Sequence, residues 1–124
     1  MRLVDSNIVI YATQPGNDWL RVLLFTQPFG VSVITLVEVL GWHKITPRDK
    51  QDLEIFLNAG AVVSVNDAVV KLAISLRQQS KMSLGDAFIA ATALEFGYEL
   101  VTRNTDDFEH LTGLALTNPF PPLR

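Results

Sequence analysis

The chain has 124 residues, a net charge of −3, 48% apolar residues and no cysteine. That length supports one hydrophobic core rather than two, and the lack of cysteine excludes disulfides, thiolate zinc sites and a cysteine nucleophile. No apolar run approaches the ~20 residues of a membrane helix, and Asp5 and Asn7 interrupt any export signal, so a single domain over 1–124 with a cytoplasmic address is expected.

Arg2 to Asp5 predicts a short strand, and Ser6 to Ala12 a helical turn or short helix. Gln14-Pro15-Gly16-Asn17 breaks the chain. Trp19 to Phe25 is apolar enough for a short buried helix, stopped near Pro28 and Gly30. Val31 to Ile34, rich in β-branched residues, predicts a buried strand. Thr35 then opens a helix to about Trp42, with Glu38 at the capping-box position. Thr46-Pro47-Arg48-Asp49 starts a helix with Leu53, Phe56 and Leu57 on its apolar face and Gly60 at its end. Ala61 to Val65 is a third strand. Asn66 or Asp67 caps the next helix, which is buried through Val69, Leu72, Ala73 and Leu76. Ser83 opens a helix to Glu95 or Phe96, ended by Gly97. Tyr98 to Thr102 predicts a fourth strand, Asp106 to Leu111 a short helix, and Leu114 to Thr117 a brief fifth strand. The proline-rich 118–124 segment is an irregular tail. Strands that are continuous apolar runs, alternating with helices, predict an α/β fold with a mainly parallel sheet covered on both faces.

The acids fall at telling places in that order. Asp5 ends the first strand, and Glu38 and Asp86 sit in the first turns of predicted helices. Asn104, Asp106 and Asp107 follow the fourth strand. Open parallel sheets bind ligands beyond the carboxyl ends of their strands, so these groups are expected along one edge. Carboxylates gathered without basic partners repel one another, and a hard cation such as Mg²⁺ or Mn²⁺ relieves this through oxygen ligands. Each acid also has a plain structural role open to it. Thr35-x-x-Glu38 and Ser83-x-x-Asp86 fit capping boxes, while Asp5 and the 106–107 pair fit caps or turns. The joint pattern favours a site.

Leu3-Val4-Asp5-Ser6-Asn7-Ile8-Val9, Ser32-Val33-Ile34-Thr35-Leu36-Val37-Glu38-Val39, Asp86-Ala87-Phe88-Ile89-Ala90-Ala91-Thr92-Ala93 and Leu100-Val101-Thr102-Arg103-Asn104-Thr105-Asp106-Asp107-Phe108 resemble, in order, the successive motifs of VapC-type PIN domains. The resemblance spans nearly the whole chain. It implies a three-layer α/β fold and a Mg²⁺- or Mn²⁺-dependent endoribonuclease acting as the toxin of a toxin–antitoxin pair. By the same resemblance Asp5, Glu38 and Asp86 hold the metal, with Asn7 and Thr102 as polar supports. Asn104 stands where the family usually has a further acid, and Asp107 or Asp106 can supply the missing charge. A homodimer and a VapB-like antitoxin lying over the acidic groove are also implied.

The acidic balance opposes a nucleic-acid partner, which usually meets a basic footprint. A bound cation softens the objection, with Arg2, Lys44, Arg48, Lys81 and Arg103 available for phosphates; Arg103, inside the fourth motif, is the first choice. Ser6 and Ser83 lack a His-Asp relay, so a serine hydrolase is disfavoured. His43 and His110 lack metal-ligand spacing to each other. The aromatic residues fit helix faces or a dimer contact. Two alternatives differ in class: a PIN-fold binding module weakened by Asn104, and another α/β phosphoryl-transfer domain. A receiver domain wants a late Lys, and none follows Lys81. A haloacid-dehalogenase-like phosphatase wants an acid where Asn7 stands.

Overall fold

A computed structural model of the chain describes residues 1–121. The elements run β1 (Arg2–Val4), α1 (Ser6–Thr13), α2 (Asp18–Phe25), β2 (Phe29–Ser32), α3 (Val33–Leu40), α4 (Pro47–Asn58), β3 (Ala61–Val63), α5 (Asp67–Gln79), α6 (Leu84–Phe96), β4 (Glu99–Val101), a 3₁₀ turn (Thr105–Asp107) and β5 (Leu116–Thr117). The strands form one parallel sheet in the order β3-β2-β1-β4-β5. The chain thus starts at the centre, steps outward through β2 and β3, then crosses back to lay β4 on the other side of β1.

Successive strand residues point to opposite faces, and the core divides accordingly. Val4, Val31 and Val101 pack with Ile8, Leu20, Leu24, Phe56 and Leu57 from α1, α2 and α4. Leu3 and Leu100 pack instead with Val69, Leu76, Ile89, Ala90 and Phe108 on the other face. The molecule is therefore the expected three-layer α/β domain, a parallel sheet between two sets of helices. Gly97 ends α6 with φ +67°, a left-handed turn that glycine adopts without a Cβ penalty.

Several boundaries differ from expectation, and each has a physical cause. Val33 and Ile34 belong to α3, not to β2, because the Ser32 hydroxyl accepts the Ile34 N–H at 3.1 Å and caps the helix there. Thr35 is consequently a buried residue inside the first turn of α3, and Glu38 lies in the last turn, so no capping box forms at Thr35. The helix α2 is not a buried helix. Only Leu20 and Leu24 point inward, and Trp19, Val22, Leu23 and Phe25 are exposed. As an edge strand, β3 is not covered on both faces: it stops at Val63 and leaves Ala61 and Val62 exposed. The helix expected over 106–111 shrinks to the single 3₁₀ turn. Residues 118–121 carry no helix or strand, and the rest of the expected tail, 122–124, lies outside the described residues.

Candidate active site

Asp5 sits just past β1, and Thr102 just past β4, at the point where the winding of the sheet reverses. Open parallel sheets have their crevice there. Asp5 is only 5% exposed, and its carboxylate accepts three hydrogen bonds. Oδ1 accepts the Ser6 N–H at 2.8 Å, which caps α1. Oδ2 accepts the Thr102 hydroxyl at 2.9 Å and the Asn7 amide at 3.2 Å. Asn7 also ties the two strand ends together, its Oδ1 accepting the Arg103 N–H at 3.2 Å. The Thr102 Oγ1 accepts the Asn104 backbone N–H at 3.1 Å. Asn104 thus joins the network through its main chain, with its side chain making no cap to the turn that follows.

Glu38 reaches the same edge from α3. Its Oε1 accepts the Ser6 hydroxyl at 2.8 Å, and Thr35 Oγ1 lies 3.2 Å from that hydroxyl. On its other side the carboxylate abuts Gly85, where a Cβ would stand 2.8 Å from Oε2. Only glycine lets α6 approach Glu38 so closely. Asp86 follows directly in the first turn of α6, whose N-cap Ser83 accepts the Asp86 N–H at 3.1 Å. Asp86 shares a surface cavity with Asp106 and Asp107.

These acids feel one another. Burial pushes the Asp5 carboxyl up to about 6; the Thr102 and Ser6 hydrogen bonds pull it back, and the charges of Asp86 and Glu38 add to the rise. Burial also raises Asp86, followed by the charge of Asp107, against the Ser83 hydrogen bond and with a further rise from Glu38. The structure therefore brings Asp5, Asn7, Glu38, Asp86, Thr102 and Asp107 to one edge. Among the described residues the ion pairs are Arg21 with Asp18 and Lys50 with Glu54, both away from it. Arg103 is committed elsewhere: its guanidinium lies 4.8 Å from the Tyr11 ring centre and 4.1 Å from that of Phe120.

The donor set is all oxygen, which suits a hard cation. Among the described residues no three acids or histidines converge closely enough to enclose an ion. The fit is therefore to a hydrated ion, of the kind Mg²⁺ forms when one or two carboxylates hold it and water fills the remaining positions. Sequence reasoning missed Ser6, Thr35 and Gly85. Ser6 was weighed only as a nucleophile, and a glycine before an acid in a helix start carries no signal of its own.

Residues 2–114 match the family model of the PIN domain. No curated protein sequence matches the chain. Among solved structures, the chain is similar to one in a toxin–antitoxin complex from Klebsiella pneumoniae, with 30% identity, a TM-score of 0.79, and coverage of 97% of this chain and 98% of that one. The fold also matches VapBC2 from Rickettsia felis bound to a promoter DNA fragment, at 23% identity and TM-score 0.82 over 94% of this chain and 97% of that one. It matches Mycobacterium tuberculosis VapC20, described as a sarcin-ricin-loop-cleaving toxin, at 15% identity and TM-score 0.67 over 83% and 88% of the respective chains. The order of strands, the acids at the sheet switch and the match across the domain agree: the chain belongs to the PIN-domain family.

Proposed function

We propose that the chain is a metal-dependent endoribonuclease and the toxin of a toxin–antitoxin pair. The observation that carries the proposal is Asp5, a buried carboxylate with a raised pKa, flanked by further acids and with no basic partner among the described ion pairs. Keeping such a group charged at neutral pH is costly without a cation. Asp5, Glu38 and Asp86 are the proposed holders of Mg²⁺ or Mn²⁺, and Asp107 adds negative charge beside Asp86. The ion supplies charge neutralisation and Lewis-acid activation for phosphodiester hydrolysis.

The protein's own part is orientation. Three donors fix the Asp5 carboxylate, and Asn7 and Thr102 supply two of them. Ser6 holds Glu38 toward the same edge. A rigid acid edge of this kind aligns an attacking water with a phosphodiester without reorganisation at the moment of reaction. Arg103, stacked on Tyr11 and Phe120, keeps its in-plane N–H donors for a phosphate that approaches from the side. A VapB-like antitoxin, a homodimer and a cytoplasmic address complete the proposal. The toxin–antitoxin complexes among the similar structures support the antitoxin. Among the described residues no helix is long and apolar enough to cross a membrane.

The test is cleavage of RNA by the purified chain, freed of antitoxin, in Mg²⁺ or Mn²⁺. Wild type is expected to cut, and Asp5→Asn and Asp86→Asn to lose about 100-fold or more. Absence of cleavage under every divalent ion would sink the proposal. The uncharged Asn104 favours one second reading, a PIN-fold binding module, which would bind RNA or antitoxin and cut nothing.

A further inference from the structure

The acid edge repels RNA until a cation is bound, so productive affinity for a polyanion needs positive or donor groups close by. Five of the Lys and Arg side chains are engaged elsewhere. Arg2 donates to the Leu24 and Gln27 carbonyls, Arg21 pairs with Asp18, Lys50 pairs with Glu54, and the Arg77 Nε donates to the Met82 carbonyl. Arg103 lies against Tyr11 and Phe120.

Two groups remain beside the acids. Lys81, in the turn joining α5 to α6, and His110, beyond the 3₁₀ turn, line the same cavity of about 510 Å³ as Asp86, Asp106 and Asp107. Both side chains belong to exposed residues. The His110 Nε2 lies 3.0 Å from the Ser80 hydroxyl, which fastens the segment after β4 to the end of α5. The other ring nitrogen has no hydrogen-bond partner among the described residues. The cavity is thus lined by three acids, a lysine and an imidazole.

We infer that Lys81 and His110 form the subsite for a neighbouring phosphate of a single-stranded RNA whose scissile bond lies at Asp86. The inference rests on the ribonuclease proposal for the scissile position and extends it to the path of the substrate. Lys81 supplies charge, and His110, braced by Ser80, supplies a directional contact. A phosphate held there releases counterions, so it leaves a signature in the salt dependence of binding that a packing role would not.

The experiment measures anisotropy of a labelled single-stranded RNA in Ca²⁺ over about 50 to 200 mM salt, with cleavage of the same RNA in Mn²⁺ read separately. Lys81→Met is expected to weaken binding about fivefold and to flatten the slope of log K against log salt by about 0.7. His110→Ala is expected to weaken binding and to raise KM in the cleavage assay. Lys71→Met, on exposed α5 surface outside the cavity, is expected to change neither affinity nor slope. Unaltered affinity and slope in both Lys81→Met and His110→Ala, with wild type binding normally, would overturn the subsite and leave the ribonuclease proposal standing. Binding without cleavage, with the Lys81→Met slope still reduced, would fell the ribonuclease proposal and keep the subsite. No binding by wild type would overturn the subsite itself. Circular dichroism of each variant separates these effects from unfolding.

Discussion

The Thr102 hydroxyl donates to Asp5 Oδ2 at 2.9 Å, joining the carboxyl ends of β4 and β1 at the switch point of the sheet. This contact is buried and opposes the burial-driven rise of the Asp5 carboxyl. Thr102→Val keeps the shape and removes the donor. It is expected to destabilise the domain by about 1 to 3 kcal/mol at neutral pH, because a buried carboxylate loses a partner. It also frees the Asn104 N–H. Urea denaturation measures the loss, and an unchanged midpoint would show the bond to be worthless.

Asp5 makes stability depend on pH in a stated direction. Its folded carboxyl titrates near 6 and its unfolded one near 3.8, so the folded state binds the proton more tightly. The penalty of the charged form is absent below the unfolded value, grows as pH rises through that window, and is complete above the folded value. At most it amounts to about 3 kcal/mol. Asp5→Asn is therefore expected to raise stability above pH ~6.5 and to converge with wild type below pH ~4. Thermal melts of both proteins across that range check the sign. A variant that is less stable at neutral pH than at acid pH, relative to wild type, would contradict it.

A divalent ion should relieve the same penalty. Mn²⁺ added to wild type is expected to raise Tm, with a gain of about 2.7 kcal/mol at a hundredfold excess over its Kd. Asp5→Asn and Asp86→Asn should each suppress that gain. Calorimetric melts with and without chelator give the answer independently of any cleavage assay.

Gly85 offers a cleaner separation of site from fold. Alanine there is the better helix former by up to about 1 kcal/mol, yet its Cβ would meet Glu38 Oε2 at 2.8 Å. The carboxylate is the far end of a flexible side chain and swings aside at little cost. Gly85→Ala is expected to fold with near-wild-type stability, lose its Mn²⁺-induced rise in Tm and lower RNA cleavage about tenfold. Full retention of both would mean that the position of Glu38 is immaterial.

The Tyr11, Phe120, Trp19 and Arg103 cluster ties residues near the end of the chain to α1 and α2. Phe120 meets Tyr11 and Trp19 edge-on, each at 5.2 Å between ring centres, beneath the Arg103 guanidinium. Phe120→Ala should cost about 2 to 3 kcal/mol from lost ring contacts and cation–π attraction. Chemical denaturation reads the loss directly, and a cost within experimental error would reduce the cluster to surface contact.

The layering and the parallel sheet were legible because buried strands such as Leu3-Val4 and Leu100-Val101 are unbroken apolar pairs that feed two cores. The start of α3 was not. Val33 and Ile34 favour strands by their branching, and the Ser32 cap that overrides this is visible only once β2 has ended. Glu38 was placed on the correct element and the wrong turn of it. The contact between Gly85 and Glu38 depends on how α6 crosses α3, which no local pattern encodes. Arg103 looked free because its partners Tyr11 and Phe120 are far from it in sequence, and a guanidinium in a polar motif carries no mark of the rings that cover it.

The bond between Thr102 and Asp5 spans 97 positions of sequence, and its consequence concerns time. The first strand pairs with β2 as well as β4, but the acid edge is complete only once β4 has docked, a contact of high sequence separation. A chain still emerging from the ribosome holds all of α1, Asp5 and Glu38 while lacking Thr102, one of the three donors that fix the Asp5 carboxylate.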